Sequence, residues 1–281
     1  MRDISDVECD VALEALLNGP GYHVFEKVID EAHLERLNAV LTRETQDVSP
    51  DGVTHFHGSE SNQSKLHLQR RVWNMLNLGD DFVQLAEHPA VMKIFSKILG
   101  KNFIMGSFAA NVLLPGAAGQ EPHIDYPYWD LHDPEEFPAN INSSFHMNCQ
   151  TCISMHDFTA ENGATAVVPR SQQRGVYPTA GQFHEECVQL TCPAGSIIVF
   201  VGMLWHCAMP NNSQAVRSSI LGQYLPKFVK PMEALDASVN EEVKRGASPR
   251  LRQLLGLDLR YPEKLHEARG AGNTEGRGKE A

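Results

Sequence analysis

The strongest constraint on the fold is a change in sequence pattern at Gly100. Beyond this glycine the apolar residues come in short segments, and Gly, Pro or Asn separates one segment from the next. Short strands bounded by turn-forming residues are typical of β-sandwiches and β-barrels. The segments are NFIMGSFAANVLL, HMNCQTCISMHDF, TAVVP, ECVQLTCP, SIIVFVG and RSSILGQYLP. The sequence therefore predicts a β core over about residues 101–230.

The segments on either side of this core favour helices. EAHLERLNAVLTRET and DDFVQLAEHPAVMKIFSKILG carry apolar residues at helical spacing, and SPRLRQLLGLDL predicts a helix within about residues 231–258. We therefore expect one domain over residues 1–266, with a mainly helical part over residues 1–100 before the β core. Residues 267–281 are Gly-rich and charged, so we expect a disordered tail.

The composition excludes several classes of function. The chain has 281 residues, of which 42% are hydrophobic, enough for one large domain with a buried core. Its net charge of -11 argues against a nucleic-acid partner, because phosphate binding needs clustered Lys and Arg. No apolar run reaches the roughly 18 residues that a membrane span needs, and the acidic N-terminus lacks the pattern of a signal peptide. We expect a soluble, cytoplasmic protein that binds no membrane.

The six cysteines include one pair with a motif spacing. Cys149-x-x-Cys152 has the spacing of a redox or zinc pair, but it lies in a segment that reads as a buried strand. No second pair completes a zinc site. We therefore expect reduced thiols that pack as small apolar groups.

A candidate metal site begins in the segment GQEPHIDYPYWD. His123 and Asp125 are one residue apart, and alternate side chains of a strand share a face. A third ligand would come from His206, which follows the apolar segment SIIVFVGMLW. Two histidines and one carboxylate on one face of the metal are the ligand set of non-haem Fe(II) oxygenases. The alternative interpretation is a surface pair of His123 and Asp125.

An arginine follows this candidate set on the next predicted strand. Oxygenases with this ligand pattern use 2-oxoglutarate, which chelates iron through its keto acid end and needs a cation for its other carboxylate. Arginine suits that carboxylate through bidentate pairing. Arg217 opens the strand after the polar turn PNNSQ and is the candidate cation. A salt bridge on the barrel wall is the alternative role for Arg217.

With these residues in order, the chain resembles the phytanoyl-CoA dioxygenase family of Fe(II)/2-oxoglutarate oxygenases. It is most similar to the branch found in bacterial and fungal secondary metabolism. Each matching segment is weak evidence by itself. Their order and spacing together support the resemblance, which covers about residues 65–255. The segments are RRVWNML, HPAVMKIFSKILG, QEPHID, HDFTAENGATAVVPRS, PAGSIIVFVGMLWH, NNSQAVRSSILGQY and SPRLRQLLG.

The resemblance implies a double-stranded β-helix, a jelly-roll (cupin-like) barrel with helices packed on one side. It implies iron bound by His123, Asp125 and His206, with Arg217 binding the distal carboxylate of 2-oxoglutarate.

The resemblance also implies further contacts with the co-substrate from Gln120, from Thr165 in ENGAT and from Arg71 in RRVWN, with Arg70 as the alternative to Arg71. Without the resemblance, turn or strand hydrogen bonds explain Gln120 and Thr165, and an exposed position on a helix explains Arg71.

Two segments depart from the family pattern. Pro169-Arg170-Ser171-Gln172 stands where the family usually reads Pro-Gly-Ser-His, in a loop that borders the barrel. Cys207-Ala208 follows the distal histidine, where some relatives place a small hydroxyl residue second. We expect the first departure to alter access of the substrate. At the second, a hydrogen bond to the co-substrate must come from another residue or be absent.

The reaction implied by the resemblance is oxidation of a small organic molecule by O2, with release of succinate and CO2. Related halogenases have a small residue at the position of Asp125, so its carboxylate argues against halogenation. Hydroxylation is the default outcome, with desaturation, epoxidation and ring rearrangement as alternatives. No basic cluster favours CoA, so we expect a natural-product intermediate as substrate. Tyr126, Tyr128 and Trp129 either line the substrate pocket or pack in the core.

Two other functional classes and the oligomeric state stay open at this point. A non-catalytic metal-binding β-barrel could use the same ligands, but it has no need of a co-substrate clamp such as Arg217. A zinc-dependent hydrolase would need a general base, and the sequence has no motif such as HExxH. Some relatives are homodimers in which a loop of the partner covers the active site.

Overall fold

The computed structural model of the protein describes residues 1–46, 54–56, 60–125 and 144–259. Two antiparallel sheets form its centre, and helices pack against the larger one. The expectation of a mainly β protein with flanking helices is confirmed. The expected disordered tail lies outside the described residues.

Seven strands form the larger sheet. They are β1 (Tyr22–Phe25), β2 (Thr54–Phe56), β3 (Gln69–Val72), β4 (Ile104–Leu113), β5 (Cys149–Ser154), β8 (Ile197–Val201) and β10 (Arg217–Leu225). Their order is β1-β8-β5-β10-β4-β3-β2, and every neighbouring pair is antiparallel. The long central strand β10 pairs with both β4 and β5, so this sheet is made mostly by contacts between residues far apart in sequence.

A smaller sheet faces the inner side of the larger one. Its strands are β6 (Thr165–Val167), β7 (Val188–Gln189) and β9 (His206–Ala208), in the order β7-β6-β9. The chain at His123 forms a bridge with His206 and so lies beside β9. Side chains from both sheets line a single cavity between them.

Helices cover the outer face of the larger sheet and the ends of the molecule. They are α1 (Asp6–Leu17), α2 (Glu31–Gln46), α3 (Asp80–Ala86), α4 (Pro89–Leu99), α5 (Ala180–Glu186), α6 (Leu235–Ser238), α7 (Glu241–Gly246) and α8 (Pro249–Leu254). Ser248 caps α8 and Pro249 follows it, a helix-start signal that the sequence shows. Within the described residues, no helix combines the length and apolar character that crossing a membrane requires.

The alternation of side chains along β10 separates the core from the cavity. Tyr224 points towards the helices, where its hydroxyl donates to the carbonyl of Ala86 at 2.9 Å and its ring lies 5.2 Å from that of Phe95. The residues that line the cavity from the same strand are Arg217, Ser219, Leu221 and Gln223. Because alternate residues of a strand point to opposite faces, one strand serves both an apolar core and a polar site.

Two local features differ from the sequence expectations. The first hundred residues are not helical alone, since β1, β2 and β3 extend both edges of the larger sheet. The apolar segment before His206 is also not one strand. Strand β8 ends at Val201, a turn occupies residues 202–204, and His206 begins β9 in the other sheet. This turn carries the chain from one sheet to the other.

Buried histidines predict a loss of stability in mild acid. His88, immediately before α4, is 3% exposed, and burial lowers its pKa to about 4, helped by the positive N-terminus and Arg2. The unfolded chain binds a proton near pH 6.5, so the contribution of His88 to the free energy of unfolding falls as pH drops from 6.5 towards 4. When the pH is lowered from neutral to about 5, the free energy of unfolding should fall by roughly 2 kcal/mol less in His88→Gln than in the wild type. Urea titrations at the two pH values measure this difference.

The exposed His184 provides the control for this measurement. His184→Gln should retain the acid sensitivity of the wild type. If His88→Gln also lost stability to the same extent as the wild type, the assignment of this sensitivity to His88 would be wrong.

Candidate metal centre

Backbone pairing places the two sequence-distant histidines side by side. His123 and His206 exchange two N–H to carbonyl hydrogen bonds, each 3.0 Å long, and the N–H of Gln120 donates to the carbonyl of Ala208 at 2.8 Å. The segment around His123 thus runs antiparallel to β9. The ring centroids of the two histidines lie 4.4 Å apart.

Asp125 completes a cluster of three potential metal ligands. Its Oδ2 lies 3.2 Å from Nε2 of His206, and its Oδ1 lies 3.9 Å from Nε2 of His123. One ligand atom from each of the three residues lies within 4.8 Å of the other two. The structure therefore brings together the three residues that the sequence predicted as ligands.

Local hydrogen bonds orient both imidazole rings. Nδ1 of His123 lies 2.7 Å from the carbonyl oxygen of Glu121, and Nδ1 of His206 lies 2.8 Å from that of Leu204. A carbonyl oxygen only accepts, so each Nδ1 carries the proton and donates it. In the neutral ring, Nε2 then carries the lone pair that a metal binds, and in both rings Nε2 faces Asp125.

The charges of the cluster favour an ionised carboxylate beside the histidines. Burial raises the pKa of Asp125, but His206, His123 and Arg71 outweigh this effect and lower it to about 2. Burial lowers the pKa of His206, but Asp125 and the carbonyl of Leu204 outweigh burial and raise it. A divalent cation would supply the positive charge beside Asp125 that a proton on His206 otherwise supplies. Two imidazole nitrogens and one carboxylate fit the ligand set of a non-haem Fe(II) site.

Arg217 lies in the same cavity and is fully enclosed. It is 1% exposed, and burial lowers its pKa to about 10. Its guanidinium donates to the carbonyl of Gly163 through Nε (3.1 Å) and Nη2, donates to Oγ of Ser219 at 3.3 Å through Nη1, and lies 4.5 Å from the ring centre of Phe158. Among the described residues, no carboxylate forms an ion pair with Arg217.

A buried cation without an anionic partner is costly, because burial removes the water that would solvate it. The side chain of Arg217 therefore fits an anion that enters the cavity from solution. The distal carboxylate of 2-oxoglutarate is such an anion, and guanidinium binds carboxylates in a bidentate manner.

The other residues expected at the co-substrate also line this cavity. Thr165 lies on β6 with its Oγ1 3.7 Å from Sγ of Cys152, and Gln120 precedes His123 by three residues. Arg71 lies on β3, and within the described part of the chain its buried Nε has no hydrogen-bond partner. Arg70 points away, since its Nη1 donates to the carbonyl of Thr45. Of the two arginines, only Arg71 is positioned to reach a ligand in the cavity.

Residues 169–172 pack away from the ligand cluster. Oγ of Ser171 accepts a 2.8 Å hydrogen bond from the N–H of Trp205, and Gln172 donates to the carbonyl of Gly19 at 3.2 Å. This loop supports the strand that carries His206 and contacts the segment before β1. The expected effect on access of the substrate stays a prediction.

The second departure leaves no hydroxyl next to the distal histidine. Cys207 and Ala208 both line the cavity, and Sγ of Cys207 contacts the sulfur of Met209 at 3.8 Å. Thr165 and Ser219, which lie on facing sheets, carry hydroxyl groups and line the same cavity. That the hydrogen bond to the co-substrate comes from another residue, or is absent, stays a prediction.

The sequence analysis missed two amides that hold Asp125. Asn148 donates to the backbone carbonyl of Asp125 at 2.9 Å, and Nε2 of Gln150 donates to Oδ2 of its carboxylate. Asn148 lies immediately before β5, and Gln150 lies within it. Asn148, Gln150 and Cys152 occupy every second position along the chain. Polar residues at every second position of an apolar strand were the available signal, because they indicate a polar inner face.

The remaining sequence candidates do not add to the site. Cys149 and Cys152 are free, buried thiols on β5, and a separation of three residues places them on opposite faces of the strand. The expectation of reduced packing thiols agrees with this arrangement. Tyr126, Tyr128 and Trp129 lie outside the described residues.

Comparison with known proteins supplies a family and related structures. Residues 17–219 match the model of the phytanoyl-CoA dioxygenase (PhyH) family. An uncharacterized protein of Mycobacterium tuberculosis, Rv1501, is 27% identical over 89% of this chain and 88% of its own length. Dioxygenase af480 of Aspergillus fumigatus is 26% identical over 66% of this chain and 58% of its own length.

The fold also occurs in a solved enzyme structure. The epimerase SnoN, in complex with Fe3+, alpha ketoglutarate and nogalamycin RO, superposes on this chain with a TM-score of 0.61. The match covers 81% of this chain and 88% of that protein, at 16% sequence identity. Such distant similarity supports the fold.

Proposed function

Because the chain belongs to the phytanoyl-CoA dioxygenase family, and is thereby an Fe(II)- and 2-oxoglutarate-dependent dioxygenase, we propose that it hydroxylates a C–H bond of a small organic molecule. We infer that the substrate is an intermediate of natural-product biosynthesis, since the structurally similar epimerase SnoN belongs to nogalamycin biosynthesis. The proposal includes a double-stranded β-helix as the finer description of the two facing sheets, and a cytoplasmic location.

The observation that carries the proposal is the position of Arg217. A metal site alone has no use for a fully buried cation that lacks a carboxylate partner among the described residues. An enzyme that binds a dicarboxylic co-substrate beside the metal needs one. This pairing of a His–Asp–His cluster with a buried guanidinium distinguishes the oxygenase from a metal-binding module and from a zinc hydrolase.

Each of the candidate site residues then has a specific task. His123, Asp125 and His206 would hold Fe(II), with the tautomer of each histidine set by its carbonyl partner. Arg217 binds the distal carboxylate of 2-oxoglutarate. Thr165, Gln120 and Arg71 bind the remaining oxygen atoms of the co-substrate.

The bound groups and the protein contribute different parts of the reaction. When bound, Fe(II), 2-oxoglutarate and O2 supply an oxidative decarboxylation that yields succinate, CO2 and one oxygen atom for the substrate. The protein orients the three partners and excludes water, with Phe200 packed edge-on against His206 at 4.9 Å between ring centres. Gln150 and Asn148 hold Asp125 in place.

An anaerobic titration with Fe(II) and 2-oxoglutarate tests this function. The wild type should develop the weak charge-transfer band of the iron chelate near about 500 nm. His123→Ala should lose the band. Arg217→Ala should retain iron binding but weaken the affinity for 2-oxoglutarate by at least about 30-fold, because one partner of a buried ionic contact is removed.

The exposed Arg250 provides a control of equal charge. Arg250→Ala should bind 2-oxoglutarate as the wild type does. A folded, metal-loaded wild type that develops no band with 2-oxoglutarate would exclude the oxygenase function and favour the metal-binding module.

A further inference from the structure

One end of the cavity carries a polar side chain, Gln223, that the proposed iron and co-substrate sites do not use. Gln223 on β10 pairs in register with Gln150 on β5 and with Ser107 on β4. All three side chains line the cavity. Gln223 and Arg217 share one face of β10 and are separated by about 20 Å along the strand, at about 3.3 Å per residue. We call this region the Gln223 end.

Gln223 is a buried amide that points into the cavity. It is 8% exposed, and no hydrogen bond within the described residues involves its side-chain amide. Leu221, Phe200 and Met232 contribute apolar surface to the cavity wall, and the polar Gln150 and Ser107 lie opposite Gln223 on the neighbouring strands. The side chains of Gln150 and Ser107 already donate to Asp125 and Glu233. The amide of Gln223 is therefore available to fix the orientation of a ligand, because a ligand that leaves this buried amide unpaired binds poorly.

A carboxylate lies directly behind the wall at this end. Oε1 of Glu233 accepts hydrogen bonds from Oγ of Ser107 at 2.6 Å and from the N–H of Phe108 at 2.8 Å. Glu233 donates its own N–H to the carbonyl of Gly106. It thereby covers the edge of β4 beyond the point where β3 ends. Burial raises the pKa of Glu233, while the two hydrogen bonds and the charge of Arg71 oppose this rise.

The charges around the described cavity balance. Of the described groups that line the cavity, the cations Arg71 and Arg217 exceed the carboxylate Asp125 by one charge when His123 and His206 are neutral. Glu233, which accepts a hydrogen bond from the lining residue Ser107, adds the balancing carboxylate. Fe(II) and the dianion of 2-oxoglutarate also balance one another. A charged substrate would then enter a buried site in which the described residues leave no counterion for it, which is strongly unfavourable.

We propose that the Gln223 end binds an uncharged substrate through a hydroxyl, carbonyl or amide group, and that Glu233 excludes carboxylates by balancing Arg71. This inference rests on the proposed function, since it places a substrate beside the loaded iron site. It narrows the natural-product intermediate to a neutral oxygen-bearing molecule.

The test compares two small probes that differ in charge. Cyclohexanecarboxamide and cyclohexanecarboxylate have nearly the same shape, and the first is neutral. Each probe is added anaerobically to the protein loaded with Fe(II) and 2-oxoglutarate, and broadening of its proton resonances by the paramagnetic iron reports binding in the cavity. We expect the wild type to broaden the carboxamide and not the carboxylate.

Two substitutions separate the roles of the amide and the carboxylate. Gln223→Leu should lower the affinity for the carboxamide by roughly 3- to 10-fold, the effect of one hydrogen bond. Glu233→Gln keeps an oxygen that can accept from Ser107 and Phe108 but removes the charge. It should raise the affinity for the carboxylate by at least about tenfold, because Arg71 loses its balancing anion.

Matched substitutions on the surface provide the controls. Glu242→Gln on α7 makes the same change in net charge, and Gln182→Leu on α5 removes an exposed amide. Both should leave the binding of either probe unchanged. The charge-transfer band should form in all four variants, which shows that the iron and co-substrate sites are intact.

The outcomes distinguish this inference from the proposed function. If the wild type forms no charge-transfer band, both are overturned. If the band forms but the carboxylate binds the wild type as well as the carboxamide does, only the inference fails. It also fails if neither probe binds any variant, or if Glu233→Gln leaves the preference between the probes unchanged.

Discussion

Replacing Asp125 with alanine is expected to abolish succinate formation and to lower the affinity for Fe(II) by more than about 100-fold. Loss of a residue that only hydrogen-bonds a metal ligand costs up to about 100-fold in metal affinity, and loss of a ligand should cost more. Asp125 is the anionic member of the ligand cluster, and its carboxylate oxygens lie within 3.9 Å of both histidine Nε2 atoms. Without it, two neutral imidazoles remain beside Arg71 and Arg217. The positive charge of these arginines then opposes the entry of a divalent cation.

The measurement is an anaerobic Fe(II) titration followed by an assay of succinate release. The variant should stay folded, because the N–H of Asp125 donates to the carbonyl of Gly202 at 3.0 Å irrespective of the side chain. Asp236→Ala, at an exposed position in α6, is the control and should bind iron normally. An Asp125→Ala variant that bound Fe(II) as tightly as the wild type would remove Asp125 from the metal site.

Gly163→Ala should produce the second large effect, on stability and on co-substrate binding together. Gly163 has a φ of +83°, and a Cβ built there would lie 2.4 Å from the carbonyl oxygen of Met209. Left-handed strain and the backbone clash should lower the free energy of unfolding by about 2–4 kcal/mol in urea titrations. The Gly163 carbonyl also accepts from Arg217, so its displacement should weaken 2-oxoglutarate binding by roughly tenfold.

Gly181 is the matched control for this substitution. It lies in α5, and a Cβ built there would contact nothing within 4 Å. Gly181→Ala should be neutral or should stabilise the protein by up to about 1 kcal/mol, since alanine favours the helix. If Gly163→Ala unfolded at the same urea concentration as Gly181→Ala, the backbone at Gly163 would not be constrained as the structure indicates.

The site combines two kinds of residue that act at different distances from the reaction. The candidate ligand cluster and Arg217 would bind Fe(II) and 2-oxoglutarate, which the proposed reaction requires. Gln223 and Ser107 belong to the wall where a substrate would lie, and Glu233 lies directly behind it. Substitutions in the first set should remove activity, whereas those in the second should change which molecule is oxidised.

Local patterns in the sequence determined the element types and the ligand candidates. Short apolar segments bounded by turn-forming residues predicted β4, β5 and β10, and the segment that starts with Ser-Pro predicted α8, because side-chain periodicity and capping act over a few neighbouring residues. The His-x-Asp spacing and the position of Arg217 after a polar turn were likewise visible locally. The resemblance to a known family added the pairing of these distant segments.

Only the tertiary structure decided how these pieces meet. It showed that β1 and β3 join the larger sheet, that β8 and β9 are separate strands, and that Gln150 reaches Asp125. It also showed that Arg217 is buried without a carboxylate partner among the described residues. These facts depend on contacts between residues far apart in the chain. The balance of charge in the cavity arises from such contacts, so no local window of sequence contains it.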